Sequence, residues 1–256
     1  MQFQQEKHQQ ANSTAQDQKI ALPRALAATG TGSRRACEEL IREGRVKVNG
    51  SLGIIGMYVN ASAVLEVDGK KVGVEKKRTI LLYKPIGVVT SVIDPHNTTV
   101  TSLVPVSERV YPAGRLDKDA SGVVILTNDG LLSNKIMHPS QGVSKTYAVT
   151  LTRPLLQFHV SKLRRGVFVD GEKVLVTNLW WDGREVRVTL HEGRKHIVKR
   201  LFRKLGFTVL GLTRTNIGRL GLGELKPGEW KDLTQREINL LENSKSQLTT
   251  TRIRGI

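Results

Sequence analysis

The chain has 256 residues, 40 of them Lys or Arg and 23 Asp or Glu, giving a formal charge of +17 and a pI near 10.2. A balance this basic points to a polyanionic partner, nucleic acid before any other, while a membrane is set aside because no apolar run approaches the roughly 20 residues of a spanning helix. A single cysteine, Cys37, rules out an intramolecular disulfide, and with six dispersed histidines it offers no zinc-site spacing, so no metal is expected.

Residues 1–19 are Gln-rich, lack Arg and carry no hydrophobic segment, so they match neither a secretory signal nor an Arg-rich transit peptide; a disordered tail is expected. The first organised segment is 20–74. Pro23 suits the first turn of a short helix ending at Gly30, and Ser33 caps a second one. In that second helix Ala36, Cys37, Leu40 and Ile41 share one face, with Cys37 as core, while Arg35 and Arg42 share another. Gly44 closes it. Arg45-Val46-Lys47-Val48 then alternates at strand period before an Asn49-Gly50 turn, sending Val46 and Val48 inward and Arg45 and Lys47 outward. Taken singly, each basic face is accounted for by solvation. Residues 75–78 end a basic run and read as a linker to a larger domain, 79–243.

In the larger domain TILLYKPIGVVTS reads as two short strands about Lys84-Pro85 and Gly87. Residues 94–105 are a polar surface loop, with His96 solvated. At 111–130, YPAGRLDKDASGVVILTNDG sets a loop holding Arg115, Asp117, Lys118, Asp119 and Ser121 in front of the apolar run 123–126, a strand buried on both faces. An Asp in such a loop more often bonds its own backbone than performs chemistry. Asn128 and Asp129 can cap a helix over 130–137. Next come an alternating strand at 145–151 containing Tyr147, a helix at 155–163, and strands at 167–176 and 185–190. Trp180 and Trp181, adjacent in a strand, divide between core and surface. HEGRKHIVKRLFRK, 191–204, holds six Lys or Arg, two His and one acid. Ile197, Val198, Leu201, Phe202 and Leu205 make the apolar stripe of its helix, opposite His196, Arg200 and Arg203. Leu220, Leu222 and Leu225 read as core, 235–242 as a last helix and 244–256 as a basic tail.

Two resemblances turn these patterns into a function. SRRACEELIREGRVKVNG resembles an S4 domain, a small RNA-binding module, which makes Arg34, Arg35, Arg42, Arg45 and Lys47 candidates for phosphate contacts. The ordered series KP, GRLD, KTY and EGR resembles the RsuA/RluB family of pseudouridine synthases. That resemblance implies an α+β fold: a small S4 domain ahead of a larger domain with a mixed, largely antiparallel sheet and flanking helices. It makes Asp117 the catalytic carboxylate, Tyr147 a general base against the nucleoside and Lys199 the cation paired with Asp117. Arg115 would hold the target nucleotide out of the helix, and Arg194, His196 and Arg200 join the RNA-binding set. The chain departs from the family pattern at Ser121 (Thr expected), Tyr83 (Asn), Ile197 (Gln) and Lys199 (Arg). Gly114 sets it apart from the branch carrying HRLD. The implied enzyme is a cytoplasmic monomer that converts uridine to pseudouridine without a cofactor, in ribosomal RNA or a subunit precursor, of the large subunit rather than the small. The alternative is a non-catalytic ribosomal-RNA-binding or ribosome-assembly protein on the same fold.

Overall fold

The computed structural model describes residues 19–242, which divide between Lys77 and Arg78 into two compact units. The expected basic tail, and all of the expected N-terminal tail but Lys19, lie outside the described residues. Arg78, read from sequence as the last linker residue, belongs to the larger unit: it donates to Asp232 at 2.7 and 2.9 Å and to Glu108 at 2.8 Å.

In the smaller unit β1 (Ile20–Ala21) leads into α1 (Leu22–Ala27), with proline in its first turn, and α2 (Arg34–Arg42), capped by Ser33 Oγ, which accepts from the Ala36 amide at 3.1 Å. Strands β2 (Val46–Val48), β3 (Ser51–Leu52), β4 (Tyr58–Val59), β5 (Leu65–Val67) and β6 (Lys70–Val72) follow. The sheet order is β3-β2-β5-β6, and β1 pairs with β4. Alternation in β2 buries Val46 and Val48 with Leu22, Leu26, Cys37 and Ile41. The same alternation leaves Arg45 and Lys47 exposed.

The larger unit is a nine-stranded mixed sheet with helices on its faces and a separate two-stranded hairpin. Its strands are β7 (Thr79–Lys84), β8 (Tyr111–Pro112), β9 (Ser121–Thr127), β10 (Lys145–Leu151), β11 (Val167–Val169), β12 (Glu172–Val174), β13 (Asn178–Asp182), β14 (Glu185–Leu190), β15 (Val209–Ile217), β16 (Leu220–Gly221) and β17 (Trp230–Asp232). Its helices are α3 (Gly130–Met137), α4 (Gln157–Arg165), α5 (Ile197–Lys204) and α6 (Gln235–Glu242). The main sheet runs β13-β14-β10-β15-β9-β7-β17, with β16 beside β15 and β8 beside β9. Every pairing in it is antiparallel except β15 with β9. That parallel joint rests on only two residue pairs, Thr213 with Ser121 and Arg214 with Gly122. The sheet is therefore two antiparallel halves joined at a short seam.

Two sequence expectations change here. Residues 79–91 hold one strand, β7, which stops at Lys84 because Pro85 lacks an amide for a continued ladder; Val89 keeps only an isolated bridge to Thr99. Residues 167–176 are a hairpin, β11 with β12, turned at Asp170 (φ 51°) and Gly171 (φ 81°). At the seam, Gly122 adopts φ +121°, and a Cβ there would lie 2.2 Å from the Arg214 carbonyl oxygen. No side chain fits. Gly122→Ala is expected to cost about 3 kcal/mol or more of folding stability, read from the urea midpoint. A change under about 0.5 kcal/mol, the size of an ordinary surface substitution, would show that the seam relaxes freely.

Candidate functional site

The seam carries the site. Strand β9 is buried along its whole length, so it is a rigid base for the loop before it. That loop is held from three sides. Thr90 Oγ1 donates to the Leu116 carbonyl at 2.7 Å and accepts from the Leu116 amide at 3.2 Å. The Gly87 amide donates to the Lys118 carbonyl at 2.8 Å. From β15, Arg214 donates through Nη1 to the Arg115 carbonyl at 3.1 Å and through Nε to the Val123 carbonyl at 2.8 Å. Ser121 Oγ and Thr213 Oγ1 lie 2.8 Å apart across the parallel joint, so the serine that replaces the family's threonine keeps a working hydroxyl.

A cavity of about 400 Å³ opens beside this loop, lined by residues 113–117, the end of α3, Lys145 and Tyr147 of β10, residues 193–198, and Leu212, Arg214 and Ile217 of β15. Asp117 is the one acid among the lining residues; Arg115, Lys145, Arg194, Lys195, His196 and Arg214 also line it. Tyr147 is buried and stands opposite Arg214 in the ladder, beside a register shift between Thr146 and Tyr147. Irregular pairing of this kind re-aims side chains. Among the described residues no group of His, Cys, Asp and Glu could hold a metal.

The structure brings the four sequence-derived catalytic candidates to one place. Arg115, Asp117 and Tyr147 line the cavity. Lys199 Nζ reaches 3.9 Å from Asp117 Oδ2, while its direct partner is Asp119, whose carboxyl it holds below the ordinary range. His196, expected in the RNA-binding set, also lines the cavity, with Nε2 3.2 Å from Asp117 Oδ1. Two other basic residues are already committed within the chain. Arg194 pairs with Glu172 at 2.9 Å and with Glu192, and donates to the Val169 carbonyl at 3.2 Å; Arg200 pairs with Asp170. Arg194 thus ties the β11–β12 hairpin to the turn before α5, and Arg200 ties it to α5 itself. In the smaller unit Arg42 pairs with Glu38 and Glu39, and Arg45 with Asp68 and Glu43. Arg34, Arg35 and Lys47 are exposed and have no ion pair among the described residues.

Sequence reading missed three buried cations. Lys84 is fully buried, donating to the Pro85 and Val88 carbonyls at 2.8 Å each. Lys145 donates to the Val143 carbonyl at 3.1 Å and the Ile136 carbonyl at 3.3 Å. Arg214 is 3% exposed, and its Nη2 has no hydrogen-bond partner. The one signal was period two: Leu212 and Arg214 share the inward face of an alternating strand, where an arginine is out of place.

Burial pushes both lysines down from 10.5 to about 8. Unfolding returns them to the ordinary range, so between about pH 8 and 10.5 the unfolded chain binds more protons and stability rises with pH. Replacing Lys145 with Met is expected to flatten that rise by about 2 kcal/mol between pH 8 and pH 10, seen in urea midpoints. An unchanged slope would mean that Lys145 titrates normally when folded.

Comparison with known proteins gives the same picture. A family model described as RNA pseudouridylate synthase matches residues 78–204, and an S4 domain model matches residues 22–52. Over 198 residues the chain is 38% identical to the ribosomal large subunit pseudouridine synthase B of Bacillus subtilis, covering 73% of this chain and 81% of that relative. It is 32% identical over 240 residues to the dual-specificity RNA pseudouridine synthase RluF of Escherichia coli K12, covering 91% and 83%. A crystal structure of a pseudouridylate synthase superposes with a TM-score of 0.64 at 33% identity, covering 87% of this chain and 99% of the other.

Proposed function

Since this chain belongs to the RNA pseudouridylate synthase family and is an RNA pseudouridine synthase with an S4 domain, we propose that it modifies ribosomal RNA, at a uridine of the large subunit, with Asp117 as its reacting carboxylate. The reaction exchanges one bond for another. N1–C1′ breaks, the uracil turns, C5–C1′ forms, C5 loses a proton and N1 gains one. No external atom enters, so the site needs an ionised nucleophile, a proton carrier and donors for the detached base.

One observation carries the reading: a cavity whose only acidic lining residue is Asp117, with Tyr147 and Arg115 beside it and cations around them. Asp117 attacks the nucleoside, with Lys199 Nζ 3.9 Å from its Oδ2 and basic residues around it in the cavity lining. Tyr147 moves a sugar proton. Arg115 holds the flipped nucleotide or fills the space it leaves. Flipping costs a few kcal/mol, which phosphate contacts offset. Arg34, Arg35 and Lys47 of the S4 domain, free of acid partners among the described residues, supply such contacts. The B. subtilis relative, named for the large ribosomal subunit, supports that choice of target.

Position-resolved pseudouridine mapping of ribosomal RNA tests the reading, in cells lacking the gene and after adding back wild type or Asp117→Asn. One large-subunit site should vanish and return with wild type alone. An unchanged map, with the protein expressed and still bound to ribosomal RNA, would favour the non-catalytic RNA-binding reading.

A further inference from the structure

His196 is the residue that the family resemblance leaves without a role at the chemistry. It stands just ahead of α5 in the left-handed conformation, φ 55° and ψ 25°. Such a backbone is strained for a residue with a Cβ, and strain of this kind concentrates at functional sites. Backbone bonds hold it there: the Ile197 amide donates to the Arg194 carbonyl at 3.1 Å, and the Arg200 amide donates to the His196 carbonyl at 2.9 Å. Its side chain is 48% exposed, so core packing does not demand a histidine. What the strained turn achieves is to bring Nε2 within 3.2 Å of Asp117 Oδ1.

The two oxygens of Asp117 are therefore in different surroundings. Oδ1 faces the imidazole at hydrogen-bonding range, while Oδ2 has Lys199 at 3.9 Å, beyond a hydrogen bond, with that ammonium engaged by Asp119. A hydrogen bond to Oδ1 would fix the rotation of the carboxylate and define Oδ2 as the attacking atom.

We propose that His196 is a positioning residue for the reacting carboxylate: its Nε2–H holds Oδ1, leaving Oδ2 to attack the nucleoside. The inference rests on the reading of Asp117 as the nucleophile. It differs from a phosphate-contacting role for His196, which would act on RNA affinity.

The test is steady-state kinetics of the full-length enzyme on ribosomal RNA carrying the mapped uridine, for wild type, His196→Ala, His196→Gly and His196→Gln. Loss of one hydrogen bond to a charged group predicts a kcat about ten- to a hundredfold lower in the Ala and Gly variants, with KM for RNA within about twofold of wild type. His196→Gln, which can present an amide N–H to Oδ1, should recover most of kcat. His196→Gly also relieves the strained backbone, so a wild-type kcat there would overturn the proposal. So would a raised KM at unchanged kcat, or a Gln variant as slow as Ala. If wild type forms no pseudouridine, or Asp117→Asn keeps full activity, the underlying reading fails and this inference falls with it.

Discussion

Asp117→Asn is expected to lower pseudouridine formation by roughly a thousandfold or more at saturating RNA, the scale on which enzymes lose rate when a nucleophile is removed. Asparagine keeps the shape of the side chain, so the loop that Thr90, Gly87 and Arg214 hold should keep its place. It discards the one acid among the cavity's lining residues. Affinity for RNA should therefore hold or rise, since a negative charge facing a polyanion is lost. Rate and affinity thus move apart, which unfolding would not produce. Tritium release from RNA labelled at C5 of uridine gives the rate, and filter binding gives the affinity. A variant that turns over at the wild-type rate would remove Asp117 from the mechanism.

Arg214→Met is expected to reduce kcat by about a hundredfold or more while changing folding stability far less. Both sides of that expectation come from the same contacts. The guanidinium joins the Arg115 carbonyl to the Val123 carbonyl, so it sets the distance between the Asp117 loop and β9. Misplacing reacting groups by about 1 Å is enough for a hundredfold loss of rate. For stability the contributions oppose one another. Two hydrogen bonds from a charged donor, about 1.5–3 kcal/mol each, are lost, but so is a buried cation with an unsatisfied Nη2, whose desolvation costs several kcal/mol. Hydrogen exchange offers a second measurement. Amides at 115–120 should lose protection in the variant while those of β9 keep theirs. If activity falls only as far as the urea midpoint does, with protection lost throughout, Arg214 is structural and sets no loop position.

Much of the local architecture was legible because it depends on near neighbours in the chain. Asp129, read as a cap, accepts from the Leu131 and Leu132 amides at the start of α3. The stripe of Ile197, Val198, Leu201 and Phe202 is the buried face of α5. Trp180 and Trp181 divide as expected, Trp180 exposed and Trp181 against the core. What the sequence did not show are the partners that come from far along the chain. Nothing in HEGRKHIVKR says that Arg194 will meet Glu172 or that Arg200 will meet Asp170.

By itself, then, the sequence determined the periodicities, caps and turns, the two-part organisation, and the Asp, Tyr and basic motifs whose resemblance names the chemistry. Only the tertiary structure decided which cation serves which acid: Lys199 divided between Asp117 and Asp119, His196 turned onto Asp117, and Arg214 buried behind the loop. The reason is physical. Helix and strand patterns arise from contacts a few residues apart, whereas charge pairing falls off over a few ångströms and depends on burial. The contacts of Arg214 are made at one short parallel joint, between residues 91 and 92 positions apart in the chain.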